Sequence, residues 1–390
     1  MVYVDGIGIA SALGIGVEAN LQALRNCTNG IGTIRNFSTA IDVPVGELSQ
    51  NNAELQQLLH ISAQQVVSRT SLIGMVAATE AIENAALTEL SHVAFISSTS
   101  VGGMDLTPKF YSQYMHNAQR GQLRYVAQHD CASSTNAIAN YCHIGGFRTA
   151  ISTACSSAAN AIMMGARLVE NGLVEKAIVG GTDALCAYTI DGFKSLMILD
   201  NVQCRPFDAS RAGLNLGEGA AYLVLSNRPT NRTICALTGW GNANDAFHQT
   251  AVSAEGIGPQ LAMRAALSKA QLNASDISYI NAHGTGTANN DASEGAALCA
   301  IWNKKLPLFS STKAFTGHTL AAAGAIEAVY SVLAIKHQQV WANLNFAQPM
   351  PELPNLIPIT QTHNEAKVDN VLSNSFGFGG NCSSVIFSRL

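Results

Sequence analysis

Short apolar runs along the chain alternate with longer stretches in which apolar positions recur at helical spacing. HVAFISS (92–98), KAIVGG (176–181) and AYLVLS (221–226) have the length and β-branched character of buried strands. SLIGMVAATEAIENAAL (71–87) carries the helical pattern. This alternation predicts an α/β architecture. The N-terminal MVYVDGIGIASALG reads as a strand running into a glycine turn, without the basic and continuous apolar regions of a signal peptide. The polar, proline-bearing stretch 227–232 predicts a boundary between two halves, 1–226 and 227–390.

A weak internal repeat crosses that boundary. In the first half the strand AIST leads through Cys155 into a helix carrying Ala158, Ala159, Ala161, Gly165 and Ala166. In the second half LPLFSS leads through a loop and His318 into a helix carrying Ala321, Ala322, Ala323, Gly324 and Ala325. A helix so rich in small residues, with no charged stripe, is packed on both sides. Two of them predict a duplicated unit whose central helices lie between two sheets.

Composition narrows the function classes. Only 12% of the 390 residues are charged, against about 25% in ordinary globular domains, and 47% are hydrophobic. Large buried layers and an oligomer interface follow as expectations. A net charge of −4 with scattered basic residues argues against nucleic-acid binding and against a polybasic membrane anchor. The most apolar segment, 320–335, is interrupted by Glu327 and is expected to be too short to span a bilayer. Nine cysteines with no CxxC pair fit free thiols in a reducing compartment, hence a cytoplasmic protein.

Three stretches could carry chemistry. In STACSSA, Cys155 falls where a strand ends and a helix begins; Ser156 and Ser157 are placed to cap the first turn, and the helix dipole there favours a thiolate. Cysteine is also among the most buried residue types, so this stretch alone leaves packing residue and nucleophile both open. In ISYINAHGTGT (277–287) an apolar strand delivers His283 to a loop of glycines and of the hydroxyls of Thr285 and Thr287. In SSTKAFTGHTLAAAGAIEA (310–328), Lys313, His318 and Glu327 flank or enter an apolar helix. One cysteine and two histidines in separate turns form a candidate nucleophile-and-donor set. No pair has metal-ligand spacing, and no metal is expected.

Together these stretches resemble the elongating β-ketoacyl-acyl-carrier-protein synthases, condensing enzymes of the thiolase superfamily. The resemblance spans essentially the whole chain: STACSSA, VGGTDA (179–184), RPFDASRAGLNLGEGA (205–220), NAHGTGT (281–287), SSTKAFTGH (310–318) with GAIE (324–327), and SNSFGFGGNCSSVIF (373–387). It implies a thiolase-like fold of duplicated αβα halves stacked as an αβαβα sandwich. It further implies that Cys155 attacks an acyl thioester and that the N–H groups of Cys155 and Phe378 form the oxyanion hole. His283 and His318 would donate hydrogen bonds during decarboxylation of malonyl carrier protein, with a Lys313–Glu327 pair behind both. Thr285 and Thr287 would line the pantetheine path, and Val101 and Met104 the acyl pocket. Arg205 would dock the acidic carrier protein, with Arg124 and Arg69 as further docking candidates. No cofactor is implied beyond the carrier's phosphopantetheine. Asn381 and Cys382 depart from the threonine and asparagine common there, which touches loop closure. The compact start, the shortened region before SRTSL and the GGNC ending look closest to ketosynthases of aryl polyene clusters, which pair with a chain-length-factor-like subunit. A homodimer, or a non-catalytic chain-length factor, is the competing expectation.

Overall fold

The computed structural model describes residues 1–303 and 305–390. The apolar runs form strands in two sets. The first is β1 (Val2–Ser11), β2 (Ala94–Ser98), β3 (Arg148–Ile151), β4 (Lys176–Asp183) and β5 (Gly219–Ser226). The second is β6 (Cys235–Asn244), β7 (Tyr279–Asn281), β8 (Leu308–Ser310), β9 (Asn370–Phe376) and β10 (Asn381–Ser388). The first set is ordered β1-β5-β4-β2-β3 and the second β6-β10-β9-β7-β8. In each, the first two pairings are antiparallel and the last two parallel. The faint sequence repeat is therefore a full repeat of topology. The two sets meet edge to edge through β1 and β6, with Val2, Tyr3 and Val4 opposite Leu237, Ala236 and Cys235.

Helices cover both sets. Numbered along the chain, those that build the layers and the site are α1 (Arg69–Asn84), α2 (Cys131–Tyr141), α3 (Ser157–Glu170), α4 (Ala187–Ser195), α5 (Ile257–Ala270), α6 (Ala288–Trp302) and α7 (Ala323–His337). Helix α1, backed by α2, packs on β1, β5 and β4, while α5, backed by α6, packs on β6 and β10. Between the sheets lie α3 and α7, touching each other, so the layers run αβαβα. Their small residues permit the contact: a Cβ on Gly324 would lie 3.0 Å from the Ala159 nitrogen and 2.7 Å from Ser375 Oγ. Every residue of α7 from Ala323 to Ile335 is buried. The segment Leu320–His337 is in fact long and apolar enough to cross a membrane by length and composition, but 89% of it lies inside the fold. Its apolarity is that of a core helix.

The element ends shift from the sequence expectation for local reasons. Helix α1 starts at Arg69, where the Ser68 hydroxyl accepts the Ser71 N–H at 3.2 Å. It stops at Asn84, before Ala86 turns to a φ of 51°. Strand β3 ends at Ile151, and residues 152–156 form a tight elbow before α3. That elbow places the site.

Candidate active site

Cys155 sits in the elbow, buried at 6% exposure, after Ala154 at a φ of 52°. A non-glycine residue in that region is uncommon and marks a backbone held by its surroundings. The holding groups are hydroxyls. Ser157 Oγ accepts the Thr153 N–H at 2.8 Å and donates to the Ala154 carbonyl at 2.5 Å; the one Ser156 hydroxyl proton is shared between the Thr153 carbonyl at 2.7 Å and Asn381 Oδ1 at 2.7 Å. The two serines thus stitch the elbow rather than cap α3, whose N-terminus has no side-chain cap, contrary to the sequence expectation.

Three other turns converge on the sulfur. His318, delivered ahead of α7, places Nε2 2.9 Å from Cys155 Sγ. His283, just past β7, meets the His318 ring edge-on with centroids 5.5 Å apart. The turn after β9 brings Phe378, whose N–H faces the sulfur together with the N–H of Cys155 itself. That approach requires glycine at 377, because a Cβ there would lie 2.9 Å from the Thr153 carbonyl oxygen and 3.2 Å from the Cys155 nitrogen. Backbone N–H groups from two separate segments therefore lie beside the sulfur, and they are the pair that the family resemblance assigns to an oxyanion hole.

Burial pushes the Cys155 thiol up to about 11, against the pull of the Lys313 charge and the Phe378 N–H. The expected dipole-stabilised thiolate is thus outweighed by desolvation, and the resting thiol is neutral. Burial and the nearby Lys313 charge hold both histidines well below their usual pKa, so both are neutral imidazoles at pH 7. Lys313 Nζ stands 3.2 Å from His283 Nδ1, donates to the His283 carbonyl at 2.5 Å, and is ion-paired to Glu327. An ammonium on Nδ1 makes that nitrogen the acceptor, so the ring proton lies on Nε2. The Lys313–Glu327 pair backs His283 alone. His318 has no such partner among the described residues, its Nδ1 being buried without a hydrogen bond, so the expected bracing of both histidines is corrected to one.

Buried carboxylates that the sequence reading left without a role hold the framework. Glu294 accepts the N–H groups of His283 (2.9 Å) and Gly284 (2.8 Å), and burial pushes its pKa up to about 7. Asp183 accepts from Ser100 at 3.0 Å, Val101 at 3.2 Å and Ala321 at 2.8 Å, tying the β2 end to the start of the α7 segment. Both residues lay inside or beside stretches whose small-residue pattern drew attention to their neighbours instead.

The sulfur opens onto two cavities. One, of about 350 Å³, is lined by Cys155, His283, His318, Thr285, Thr287 and Phe376 among others. The threonine hydroxyls are 2.9 Å apart along its wall. The second, of about 470 Å³, includes Val101, Tyr188, Thr189 and Leu196. Phe378 and Phe193 border both, with rings stacked at 6.0 Å, and so form the partition beside the sulfur. Phe193 on α4 carried no sequence signal. Met104 is not part of either lining; it packs behind Val101 with the Leu185 and Ile190 cluster.

The arginines separate. Arg69 is 3% exposed and paired to Glu218 at 2.5 Å, with further bonds to Asn52 Oδ1 and the Gln50 carbonyl, so it is a core ion pair and unavailable for docking. Arg205 is partly exposed, bonded to Asp200 at 2.9 Å, and its backbone nitrogen adjoins the Gly286 turn of the threonine wall. Arg124 is exposed over the Tyr125 ring and borders a different polar cleft with Lys109, Asn52 and Gln56, away from the sulfur.

Comparison with known proteins places this geometry in context. Residues 1–231 match the β-ketoacyl synthase N-terminal domain family and residues 234–347 its C-terminal domain family. The chain is 31% identical over its full length to 98% of a 3-oxoacyl-[acyl-carrier-protein] synthase 2 of Rhizobium meliloti (strain 1021). It is 30% identical, with the same coverage, to the enzyme of that name from Staphylococcus aureus (strain COL). Among solved structures it superposes on a chain of the ishigamide ketosynthase/chain length factor with a TM-score of 0.93 at 27% identity, covering 100% of this chain and 99% of that one. A chain of the ketosynthase ApeO in complex with its chain length factor ApeC from Xenorhabdus doucetiae gives 0.87 at 32% identity, covering 100% and 98%.

Proposed function

Since the chain belongs to the β-ketoacyl synthase family, we propose that it catalyses decarboxylative condensation of an acyl carrier protein with malonyl carrier protein. The observation that carries this reading is the convergence of Cys155, His283, His318 and the Phe378 N–H on one sulfur at the junction of two cavities.

In the loading half-reaction the Cys155 thiol gives its proton to His318 Nε2, and the sulfur attacks the acyl thioester carbonyl. The N–H groups of Cys155 and Phe378 hold the oxyanion. The carrier's thiolate departs and takes its proton from solvent, while the thiol's proton stays on His318 Nε2 beside the acyl-cysteine and returns to Cys155 when condensation frees it. The malonyl thioester then enters along Thr285 and Thr287. Cleavage of its carboxylate bond releases carbon dioxide and leaves an enolate, whose oxygen takes hydrogen bonds from His283 Nε2–H and His318 Nε2–H. The enolate carbon attacks the acyl-cysteine carbonyl through the same oxyanion hole, and collapse frees Cys155 with a 3-oxoacyl chain longer by two carbons.

Partner and pathway belong to the same proposal. The cavity holding Val101 is bordered by Tyr188, 60% exposed, and Leu196, 44% exposed, and near them Met197 is 87% exposed. These apolar side chains suit cover by a second ketosynthase-like subunit. The ApeO–ApeC and ishigamide neighbours, each a ketosynthase with a chain length factor, favour a chain-length-factor-like subunit over a second copy; the sequence resemblance adds a polyene-type product of the aryl polyene kind in a cytoplasmic setting. The retained Cys155 and histidines make this chain the catalytic member. Arg205 is the docking candidate for an acidic carrier protein. Incubation with acyl and malonyl carrier proteins, of the purified chain alone and of the chain coexpressed with such a subunit, should yield carbon dioxide and 3-oxoacyl carrier protein from the coexpressed pair. Neither product under both conditions would refute the reading, and activity as a homodimer alone would refute the partner assignment.

A further inference from the structure

The two oxyanion donors lie on segments more than two hundred positions apart, and neither segment carries a strand or helix across the gap at that point. Something must set their separation to within a fraction of an ångström for both N–H groups to serve one oxygen. The contacts between the segments concentrate on one side chain. Asn381 Oδ1 accepts the Ser156 hydroxyl at 2.7 Å and the Asn160 amide at 2.9 Å, and Asn160 reaches on to Thr153 Oγ1 at 2.9 Å. Asn242 Nδ2, on the neighbouring strand β6, donates to the same oxygen at 2.9 Å. On the other side, the Asn381 carbonyl accepts the Gly377 N–H at 2.8 Å, closing the turn that presents Phe378.

We propose that Asn381 is a positioning residue that fixes the spacing of the Cys155 and Phe378 N–H groups. It grips the elbow through its side-chain oxygen and the Phe378 turn through its main chain. This rests on the condensing reading above, and it assigns a purpose to a position where the resembling family commonly has threonine. A threonine hydroxyl also offers an acceptor oxygen, which is the one feature the arrangement uses; the Asn381 amide nitrogen makes no hydrogen bond among those described.

The test separates oxyanion chemistry from thiol exposure. Thioester acylation of Cys155 passes through a tetrahedral oxyanion, whereas alkylation by iodoacetamide displaces iodide at carbon and does not. Asn381→Leu keeps the number and branching of the side-chain heavy atoms and removes the oxygen. It should slow acylation by octanoyl-pantetheine, followed by intact mass, by about ten- to a hundredfold, while the iodoacetamide rate at Cys155 stays at the wild-type value. Asn381→Thr should restore most of the acylation rate. Ser156→Ala should show the same selective loss and combine with Asn381→Leu less than additively. Should Asn381→Leu fail to fold, the Ser156→Ala and Asn381→Thr pair carries the same comparison. Wild-type acylation in Asn381→Leu, or parallel loss of acylation and alkylation, would overturn the proposal. A wild-type protein that takes no acyl group from any thioester would instead overturn the condensing reading on which it stands.

Discussion

Removing the two histidines one at a time should give unequal results, because the structure gives them unequal places. His318 Nε2 is in contact with the sulfur at 2.9 Å, whereas His283 is bound from behind by Lys313 and lines the cavity of about 350 Å³. His283→Ala deletes one hydrogen-bond donor from a developing enolate in a buried, water-poor site. Loss of one such donor costs about 3–4 kcal/mol, or two to three orders of magnitude in rate. That loss should fall on carbon dioxide release from malonyl carrier protein and leave acyl loading near the wild-type rate. His318→Ala removes the same kind of donor and also the acceptor of the thiol proton, a contribution of about 10²–10⁴-fold. It should therefore slow both steps. Loading is followed by intact mass with an acyl carrier protein, and decarboxylation by carbon dioxide release, each in protein with an unchanged melting transition. If His283→Ala lost loading as severely as His318→Ala, His283 would be acting on the cysteine and the division drawn from the geometry would be wrong.

Alkylation of Cys155 by iodoacetamide should accelerate with pH through pH 9 without levelling near 7, since burial raises the thiol's pKa and the thiolate fraction grows only as pH approaches about 11; a plateau near neutrality would mean an ion pair with His318 at rest. Arg69→Met should lower the melting temperature through loss of a buried pair, about 3–5 kcal/mol, because Glu218 keeps its burial and loses its counter-charge. Its affinity for carrier protein, measured on folded protein, should not change, and a selective affinity loss would return Arg69 to a docking role. Phe193→Ala removes half of the stacked partition between the two cavities and should admit bulkier acyl groups onto Cys155; an unchanged acyl preference in a panel of carrier-bound chains would show that the partition does not select.

The architecture was legible because its signals are periodic and local. Apolar runs at 92–98, 176–181 and 221–226 became β2, β4 and β5, and the small-residue helices became the touching central pair. The elbow at Cys155 was legible as a place but not as a conformation: the sequence shows serines beside Cys155, yet only the fold reveals that they clamp the backbone instead of capping α3. Charges were read least well. Arg69 looks like any surface arginine until Glu218, far along the chain, is seen against it. The aim of Lys313 at His283 alone depends on how two separate turns stack, and Phe193 reaches the site from a helix with no motif. Long-range pairing of this kind leaves no spacing in the sequence to detect.

The central claim is that Cys155 carries the growing chain and passes it to carbon. Intact-mass measurement of the protein after incubation with an acyl carrier protein, then after addition of malonyl carrier protein, tests it directly. The expected result is one acyl adduct, located on Cys155 and absent in Cys155→Ala, that disappears on malonyl addition as 3-oxoacyl carrier protein forms. An adduct that persists in Cys155→Ala, or one that is discharged only as free acid, would contradict it.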